Sequence, residues 1–372
     1  MSESVHELLK AGKPWEQTSD RMVRMAVVGG GFGACFHWHE HPNCKVVAVA
    51  DPISDRRNGL MERYQCETAY ETLDDVLADD NVEGVAIFSG APDHARHVCA
   101  IMEAGKHPFC AVPACFDLEE AEMLAEIKES TGAKYMMAET SWYRWETILA
   151  RRMFKAGIFG ELIYSEGEYY HPMVGEEVQG LWWRDGQKTW RYGFPPMHYP
   201  THSSAFLVGV TGERILKISC AGWGPEEPWC FDNVYGNPYS HEVSMCITDQ
   251  GHSFRCNVSW SAHAFGERAQ WFGREASLYM PDDAGRPYII RCPEGDITEF
   301  PDYWELVPEK MRYDTGHGSS HAFLTTEFID AIVADREPEV NLYEALAMTV
   351  PGIVGHQSAL WEGQQMEVPQ YG

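Results

Sequence analysis

The chain has 372 residues, which is too long for one simple core and predicts two domains. Its formal charge is −27, because 56 acidic side chains outweigh 29 basic ones, and this excludes nucleic acid and anionic membrane surfaces as expected partners. The sequence contains no apolar stretch of the roughly 20 residues that a membrane-spanning helix needs. We expect residues 1–22 to form an N-terminal extension, a short amphipathic helix and a polar linker, rather than a secretory signal.

Eleven cysteines are scattered along the chain without a C-x-x-C pair, so neither a zinc ribbon nor a redox dithiol is indicated. Several lie in apolar runs such as 243–247, where a thiol packs as a small hydrophobe. Reduced thiols are typical of the cytoplasm, which is the location that we predict.

A glycine cluster after the first apolar run predicts a dinucleotide-binding turn. Gly29 and Gly31 occupy the first two positions of a G-x-G-x-x-G/A motif, and Ala34 occupies the third. The first glycine permits a tight turn, the second lets a pyrophosphate approach the backbone, and the small third residue lets the following helix pack closely. We therefore expect Gly29, Gly31, Phe32 and Gly33 to bind a cofactor.

The end of the next apolar run indicates which cofactor this is. Residues 46–50 lead into Asp51, 22 positions after Gly29. A carboxylate at this point can accept hydrogen bonds from a ribose 2′-hydroxyl and would repel a 2′-phosphate. The sequence therefore predicts NAD rather than NADP.

Short apolar runs alternate with helical patterns up to about residue 140, which predicts a doubly wound α/β domain with a parallel sheet. The predicted helices lie near 53–64, 72–79, 94–104 and 118–131, and the predicted strands at 82–89, 108–112 and 134–138. We assign residues 23–145 to this Rossmann domain.

From about residue 160 the alternation of strands and helices ends, and strand-length runs follow one another without helices between them. These runs are 161–170, 214–223, 241–249, 251–260 and 275–280. Residues 146–372 are therefore predicted to form an α+β domain with a large, mostly antiparallel open sheet, whose C-terminal helix packs back on the first domain. An open sheet face of this size predicts a homo-oligomer, either a dimer or a tetramer.

The loop at 89–94 follows a predicted strand, and loops at the carboxyl ends of parallel strands face the cofactor. Pro92 can shape this loop. His94 can cap the next helix or approach the nicotinamide, while an ordinary helix-starting turn is the alternative.

Residues 181–202 combine aromatic side chains and arginines with Gly and Pro, which predicts the wall of a sugar pocket. The alternative is an aromatic plug beneath a long loop. His198 and His202 would share a helix face. No neighbouring carboxylate supplies the usual third metal ligand, so acid–base chemistry is favoured over metal binding.

His37, His39 and His41, together with Glu40, fall in the predicted first Rossmann helix. His37 and His41 could chelate a metal as an i, i+4 pair. Cationic histidines that complement the dipole of a solvated helix C-terminus are the favoured interpretation, so no metal site is predicted.

Together these features resemble the glucose–fructose oxidoreductase / myo-inositol dehydrogenase superfamily (Gfo/Idh/MocA) over nearly all of residues 23–372. The matching segments are the loop ending in His94, residues 104–113, the pair Trp190-Arg191, and residues 317–332. Within the superfamily the chain is most similar to the NAD-dependent glycosidase branch, glycoside hydrolase family 109 (α-N-acetylgalactosaminidase-like). The shared strings there are Pro113-Ala114, residues 155–171, and Tyr-Pro-Thr-His at 199–202.

The resemblance implies site residues one by one. Gly29, Gly31, Asp51 and His94 would hold NAD. Tyr169, Arg191, Tyr199 and His202 would line the sugar site, with His202 as the leading acid–base group. We further assign Pro92, Val112 and Thr140 to the cofactor site, and Tyr143 and His198 to the sugar site.

Two departures from the family pattern stand out. Most dehydrogenases of the superfamily carry Glu-Lys-Pro after the short strand, and that lysine helps to move the hydroxyl proton. The glycosidase branch carries Glu-Val-Pro, whereas this chain has Ala111, Val112 and Pro113. Thr140 also stands where that branch has Asn, so neither subgroup's full set is present.

Three functions follow as hypotheses. The first is an NAD-dependent oxidoreductase that oxidises a ring hydroxyl, at C3, of a sugar or glycoside, with His202 and Tyr199 replacing the usual lysine. The second is an NAD-dependent glycosidase, in which oxidation is followed by elimination, hydration and re-reduction. The third is a non-catalytic protein that binds NAD and sugars, suggested by the losses at Ala111 and Val112.

Overall fold

The computed structural model describes residues 4–173, 179–282 and 285–372, so the start of the predicted N-terminal extension, residues 1–3, lies outside the described part. The chain divides into two compact units, each assembled from separate stretches of sequence. The first unit contains residues 10–145, 302–346 and 371–372, and the second unit contains residues 1–9, 146–301 and 347–370. A short helix, α1 (Val5–Leu8), opens the described chain.

The first unit is built on a six-stranded parallel sheet. Its strands are β1 (Val23–Val28), β2 (Cys44–Ala50), β3 (Ala69–Tyr70), β4 (Gly84–Ile87), β5 (His107–Cys110) and β6 (Met136–Met137). The strand order is β3-β2-β1-β4-β5-β6, the doubly wound order of a dinucleotide-binding domain. The apolar runs lie at its centre, as β4 is buried throughout, which is typical of a parallel sheet covered on both faces.

Helices connect these strands at the predicted positions. They are α2 (Ser54–Tyr64), α3 (Leu73–Leu77), α4 (His94–Glu103) and α5 (Leu118–Thr131). Local sequence sets their ends, because the Thr72 and Asp117 side chains accept hydrogen bonds from the first turns of α3 and α5, and Gly132 closes α5 in the left-handed conformation.

The helix predicted directly after the glycine turn is wrong. The chain forms two short 3₁₀ segments there, Phe32–Cys35 and Trp38–Glu40, before β2 begins. Phe36 and Trp38 are both fully buried. Residues two apart point in different directions on an α-helix, so burial of both side chains favours a tighter, irregular path.

The second unit carries a nine-stranded sheet and the helices α6 (Trp145–Lys155), α7 (Gln179–Trp182) and α8 (Thr201–Thr211). In chain order the strands are β7 (Leu162–Tyr170), the small hairpin β8 (Trp183–Arg184) and β9 (Gln187–Lys188), β10 (Ile215–Trp223), β11 (His241–Thr248), β12 (Ser253–Ser259), β13 (Gly266–Gly273), β14 (Ser277–Tyr279), β15 (Ile289–Cys292) and β16 (Gly295–Ile297). The sheet order is β16-β15-β14-β13-β7-β12-β11-β10 with β17 (Met366–Glu367) at the far edge, while β8 and β9 pair only with each other.

The nine-stranded sheet is mostly antiparallel, with β7 and β12 as a parallel pair near its middle. Helix α8 packs on one face of β7. The chain ends with α9 (Ser320–Val333) and α10 (Leu342–Leu360) before β17. The predicted fold class, a Rossmann domain and an α+β domain with a large open sheet, is confirmed.

None of the described helices is both long and apolar enough to cross a bilayer. All eleven cysteines lie in the described residues, and none forms a disulfide.

Candidate functional site

The glycine turn of the first unit has the geometry that its sequence predicts. Gly29 has φ 100°, and its N–H donates to the Ala50 carbonyl at 2.8 Å. A Cβ at Gly29 would lie 2.8 Å from the Phe88 carbonyl oxygen, and one at Gly33 would lie 2.6 Å from the Phe88 ring. A Cβ at Gly31, in contrast, meets nothing nearer than an Arg56 guanidinium nitrogen at 4.0 Å. The turn is therefore tight against its own unit at Gly29 and Gly33 and open at Gly31, which fits a pyrophosphate approaching the backbone there.

Asp51 stands directly after β2 and is buried. One carboxylate oxygen accepts the Gly30 N–H at 2.7 Å, and the other accepts the Ile53 N–H at 2.8 Å. Each carboxylate oxygen has a second lone pair, so these bonds leave acceptor capacity for a ribose hydroxyl. Asp51 thus fixes the shape of the glycine turn as well as offering the acceptor that predicts NAD.

Phe32 protrudes from the turn, with 40% of its surface exposed. Its ring makes edge contacts with Phe88, with His317, and with His321 at the start of α9. His321 also stacks on Phe36 at 4.5 Å. Burial lowers the pKa of His321 to about 4, so its imidazole is neutral at neutral pH. It therefore packs against Phe32 and Phe36 as an uncharged aromatic ring.

His94 joins the two loops that follow β4 and β5. Its Nδ1 lies 2.7 Å from the Pro113 carbonyl oxygen and its Nε2 lies 3.1 Å from the Ser89 carbonyl oxygen. The ring is buried, and burial lowers its pKa despite these two acceptors. Pro92 lies exposed in the 3₁₀ turn just before it. With both ring nitrogens facing backbone carbonyls, His94 can hold these two loops in place.

The remaining predicted residues of this unit are buried. Val112 and Thr140 are 7% and 1% exposed, and neither carries an ionisable group. Tyr143 is buried too, stacks on Phe323, and donates its hydroxyl to Glu339 at 2.9 Å. The structure thus gives Tyr143 a packing and hydrogen-bonding role within its own unit.

In the second unit, three predicted sugar-site residues come together. Tyr169 lies on β7, and His202 lies in the first turn of α8, three residues after Tyr199. The ring centroids of Tyr169 and His202 are 4.6 Å apart, those of Tyr199 and His202 are 5.3 Å apart, and those of Tyr169 and Tyr199 are 6.0 Å apart. Trp260 packs against both tyrosines. We call Tyr169, Tyr199, His202 and Trp260 the aromatic–histidine cluster.

Gly167 explains why β7 and α8 lie close enough to form this cluster. A Cβ at Gly167 would lie 2.4 Å from the Ser203 carbonyl oxygen of α8. The Ser203 hydroxyl also donates to the Asn257 carbonyl of β12 at 2.9 Å, which ties the helix to the sheet. Only glycine permits this approach, and the approach sets the separation of Tyr169 and His202.

His198 lies in the 3₁₀ turn before Tyr199, next to His356, and it does not share a helix with His202. Burial and the neighbouring His356 lower the pKa of His198 to about 3, so it is neutral at physiological pH. The rings of His198 and His356 are 5.1 Å apart. His356 Nδ1 lies 2.8 Å from one Glu242 oxygen, and the other Glu242 oxygen accepts the Met197 N–H at 2.8 Å. Glu242 and His356 therefore hold the 3₁₀ turn that leads into Tyr199.

The aromatic segment at 181–202 divides into a packed part and an exposed part. Tyr192 and Trp229 are buried, with Trp182 against them, which is the aromatic plug given above as the alternative. Trp183 remains 39% exposed. The Arg191 guanidinium lies 4.2 Å from the centroid of the Trp190 ring, a cation–π contact that holds both side chains.

Sequence reasoning missed Glu242, His356 and Trp260. The sequence did contain a signal for Glu242, because this residue alternates in phase with Ser244 and Cys246, which are buried on β11. A carboxylate in such a position needs a buried partner. Nothing in the sequence indicated that this partner would come from residue 356.

Comparison with known proteins identifies the first unit. Residues 23–139 match the GFO_IDH_MocA family model, described as an oxidoreductase family with an NAD-binding Rossmann fold. Among curated proteins, a glycosyl hydrolase family 109 protein of Streptomyces niveus is 22% identical over 97% of this chain and 79% of its own length.

Solved structures support the same fold. Levoglucosan dehydrogenase, in complex with NADH and L-sorbose, superposes with a TM-score of 0.78 at 15% identity, covering 94% of this chain and all of that chain. A putative myo-inositol dehydrogenase from Sinorhizobium meliloti 1021 superposes with a TM-score of 0.72 at 18% identity over the same shares.

The glycine turn, the acidic residue after β2 and the family match all indicate the same cofactor, which is NAD. The resemblance to the Gfo/Idh/MocA superfamily is confirmed: residues 23–139 carry the NAD-binding Rossmann fold of that oxidoreductase family.

Proposed function

We propose that this protein is an NAD-dependent oxidoreductase that oxidises the C3 hydroxyl of a sugar or glycoside, with His202 and Tyr199 as its acid–base groups. The aromatic–histidine cluster carries this proposal. It combines a buried imidazole with two partly exposed phenol rings, and aromatic faces with polar tips are the usual surface for sugar rings. The sugar dehydrogenases among its structural neighbours support the substrate class.

NAD, when bound, supplies the acceptor for the hydride that leaves C3. Gly29, Gly31 and Asp51 would hold it, and Phe32 and Gly33 would shape the turn around it. His94 and Pro92 set the loop after β4, while Val112 and Thr140 line the site with groups that do not titrate.

As the hydride leaves, the proton of the C3 hydroxyl must pass to a base within hydrogen-bond reach. Ala111 and Val112 offer no such base. His202 accepts the proton on an imidazole nitrogen, and Tyr199 orients the hydroxyl through its phenol group. The product is a ketone, and the imidazolium returns its proton to solvent before the next turnover. Tyr169 and Arg191 would line the sugar, and Tyr143 and His198 are the further residues that we assign to the sugar site.

A glycosidase reaction is the second candidate, favoured by the family 109 names of curated relatives. A ketone at C3 acidifies the C2–H bond, so a base can remove that proton and expel the C1 substituent. Addition of water at C1 and return of the hydride to C3 then complete cleavage with no net change in NAD. The redox step and its acid–base groups are the same as in the first proposal.

The test measures NADH and aglycone together, with a panel of nitrophenyl glycosides and free sugars. Steady NADH formation supports the dehydrogenase, whereas aglycone release without net NADH supports the glycosidase. We expect His202→Ala to lower kcat by about 10²–10⁴-fold, the range for a lost general base. Tyr199→Phe should lower kcat less.

His263→Ala is the matched control, because His263 is an exposed histidine outside the cluster, and it should leave kcat unchanged. If the wild-type protein turns over no sugar and forms no enzyme-bound NADH, the enzymatic proposal fails. Sugar binding without turnover would instead support the non-catalytic NAD- and sugar-binding protein that the missing Glu and Lys suggest.

We also propose a homo-oligomer, a dimer or tetramer, formed through the sheet face that points away from α8. That face carries the exposed Met245 and Ile247 of β11 beside the stacked rings of Tyr164 and Phe272. Exposed apolar side chains on an open sheet face favour burial against a second copy of the chain. The eleven unpaired thiols support a reducing, cytoplasmic location.

A further inference from the structure

Two histidines and a glutamate converge in the segment that replaces the first Rossmann helix. His37 lies between the two 3₁₀ segments, and His39 and Glu40 belong to the second. One side-chain donor atom from each of the three lies within 4.8 Å of the others. The neighbouring His41 does not take part, because its ring is buried with Nε2 3.5 Å from Asp330.

The donors already approach the spacing of a metal site. His37 Nδ1 lies 3.5 Å from Glu40 Oε2. Zinc bonds of about 2.1 Å in tetrahedral geometry place two ligand atoms roughly 3.4 Å apart. The His39 ring lies nearly parallel to His37, 5.9 Å away, and is exposed enough to turn toward the same point. A small rotation of the His39 side chain would therefore bring the third donor atom to the same point.

Two further side chains contact the atoms of this group. The Tyr313 hydroxyl contacts both His37 Nδ1 and Glu40 Oε2, and so stands beside the point where the donors meet. Arg63 Nη1 lies 3.4 Å from His37 Nε2, and its positive charge opposes a cation at this point.

We propose that His37, His39 and Glu40 bind one divalent transition-metal ion of the zinc class. Two imidazoles and a carboxylate are the ligand types that such ions prefer, and three protein ligands leave a coordination position for water. Arg63 lies on the exposed surface of α2 and can turn into solvent as the ion enters. This site is independent of the proposed sugar chemistry, since none of its ligands belongs to the aromatic–histidine cluster.

The ion would stabilise a segment that consists of two short 3₁₀ turns and no α-helix. The ligands stand between the glycine turn and β2, and Tyr313 belongs to the stretch that precedes α9. Metal binding in a folded segment contributes to folding stability, because the unfolded chain does not preform the site. We therefore expect the metal to stabilise the first unit and the turn that binds NAD.

The experiment uses untagged, chelator-treated full-length protein. Isothermal titration with zinc chloride should show one site per chain, and Co²⁺ should give the intense visible absorption of a low-coordinate imidazole complex. His39→Ala and Glu40→Gln should each weaken zinc binding by at least about tenfold, because loss of a direct ligand costs no less than loss of an outer-shell partner. His39 is exposed, so His39→Ala is expected to fold.

Two further variants sharpen the test. Arg63→Ala removes the opposing cation and should tighten zinc binding, whereas His263→Ala removes an exposed histidine elsewhere and should leave it unchanged. The proposal is overturned if the wild type binds no stoichiometric zinc, or if His39→Ala and Glu40→Gln bind it as tightly as the wild type does. Zinc affinity that fails to rise in Arg63→Ala would also count against ligation at His37.

Discussion

Ala111 and Val112 carry no ionisable group. They stand after the short strand β5, where the superfamily's dehydrogenases carry a proton-moving lysine, and neither can accept a proton. His94, which joins the loops after β4 and β5, has both ring nitrogens facing backbone carbonyls. The proposed function assigns the hydroxyl proton to His202, a buried imidazole that packs against Tyr169 and Tyr199.

His321 makes a testable contribution to the pH dependence of stability. Its pKa is about 4 in the folded protein because of burial, against 6.5 for an ordinary histidine. Above pH 6.5 the group is neutral in both states and has no effect. Between pH 6.5 and 4 the unfolded chain binds a proton that the folded chain does not, so the free energy of unfolding falls as the pH falls, by up to about 1.4 kcal/mol per pH unit.

His321→Phe keeps a ring against Phe36 and removes the titration. We expect its unfolding midpoint, measured in urea across this pH range, to fall less steeply than that of the wild type. His263→Phe, at an exposed site, should keep the wild-type slope. Parallel profiles for the wild type and His321→Phe would show that His321 is not the titrating group.

At the scale of elements, the contact between β7 and α8 decides whether the aromatic–histidine cluster exists. Gly167→Ala would place a methyl group 2.4 Å from the Ser203 carbonyl, so α8 must move away from β7. We expect a loss of about 1–3 kcal/mol in unfolding free energy, as for other overpacked cores. We also expect a lower kcat, because Tyr169 and His202 separate. Chemical denaturation and steady-state kinetics measure the two effects.

Gly59→Ala is the matched control for this prediction. Gly59 lies in the middle of α2, where a Cβ meets nothing within 4 Å. The same substitution should stabilise the protein there by about 0.5–1 kcal/mol, because alanine loses less backbone entropy in a helix. If Gly167→Ala behaves like Gly59→Ala, the close approach of β7 and α8 does not constrain the protein as described.

Sequence patterns predicted the regular elements better than the irregular one. Hydrophobic patterns predicted α2 to α5 and the strands β4 and β5 between them, whereas the two-residue strand β3 (Ala69–Tyr70) was not predicted, because two residues are too few to show a pattern. The segment after Gly31 was assigned to a helix by its position in the motif alone. The deciding factor was the burial of Phe36 and Trp38 against Phe88, Phe109 and Phe328, which are distant in the sequence. Local propensity carries no information about such partners.

At the scale of the whole molecule, the open face of the nine-stranded sheet predicts the oligomeric state. Met245 and Ile247 are 48% and 39% exposed on adjacent outward positions of β11. Replacing both with Glu should convert the proposed oligomer to a smaller species, since symmetry would bring the new charges together in a shared interface. Light scattering coupled to size-exclusion chromatography measures the mass.

Met123→Glu, at a 38% exposed position of α5, is the control and should leave the mass unchanged. A monomeric wild-type protein, or a double variant that keeps the wild-type mass, would contradict an interface on this face.

By itself, the sequence determined the NAD-binding Rossmann fold, the second domain's open sheet and the identity of the cofactor. These follow from local patterns: a glycine motif, an acid at a strand end, and hydrophobic periodicity. The tertiary structure decided which side chains meet. It gathered Tyr169, Tyr199 and His202 around Trp260, paired Glu242 with His356, and placed Tyr313 against His37 and Glu40. Residues far apart along the chain become neighbours through packing, and no local pattern encodes that distance.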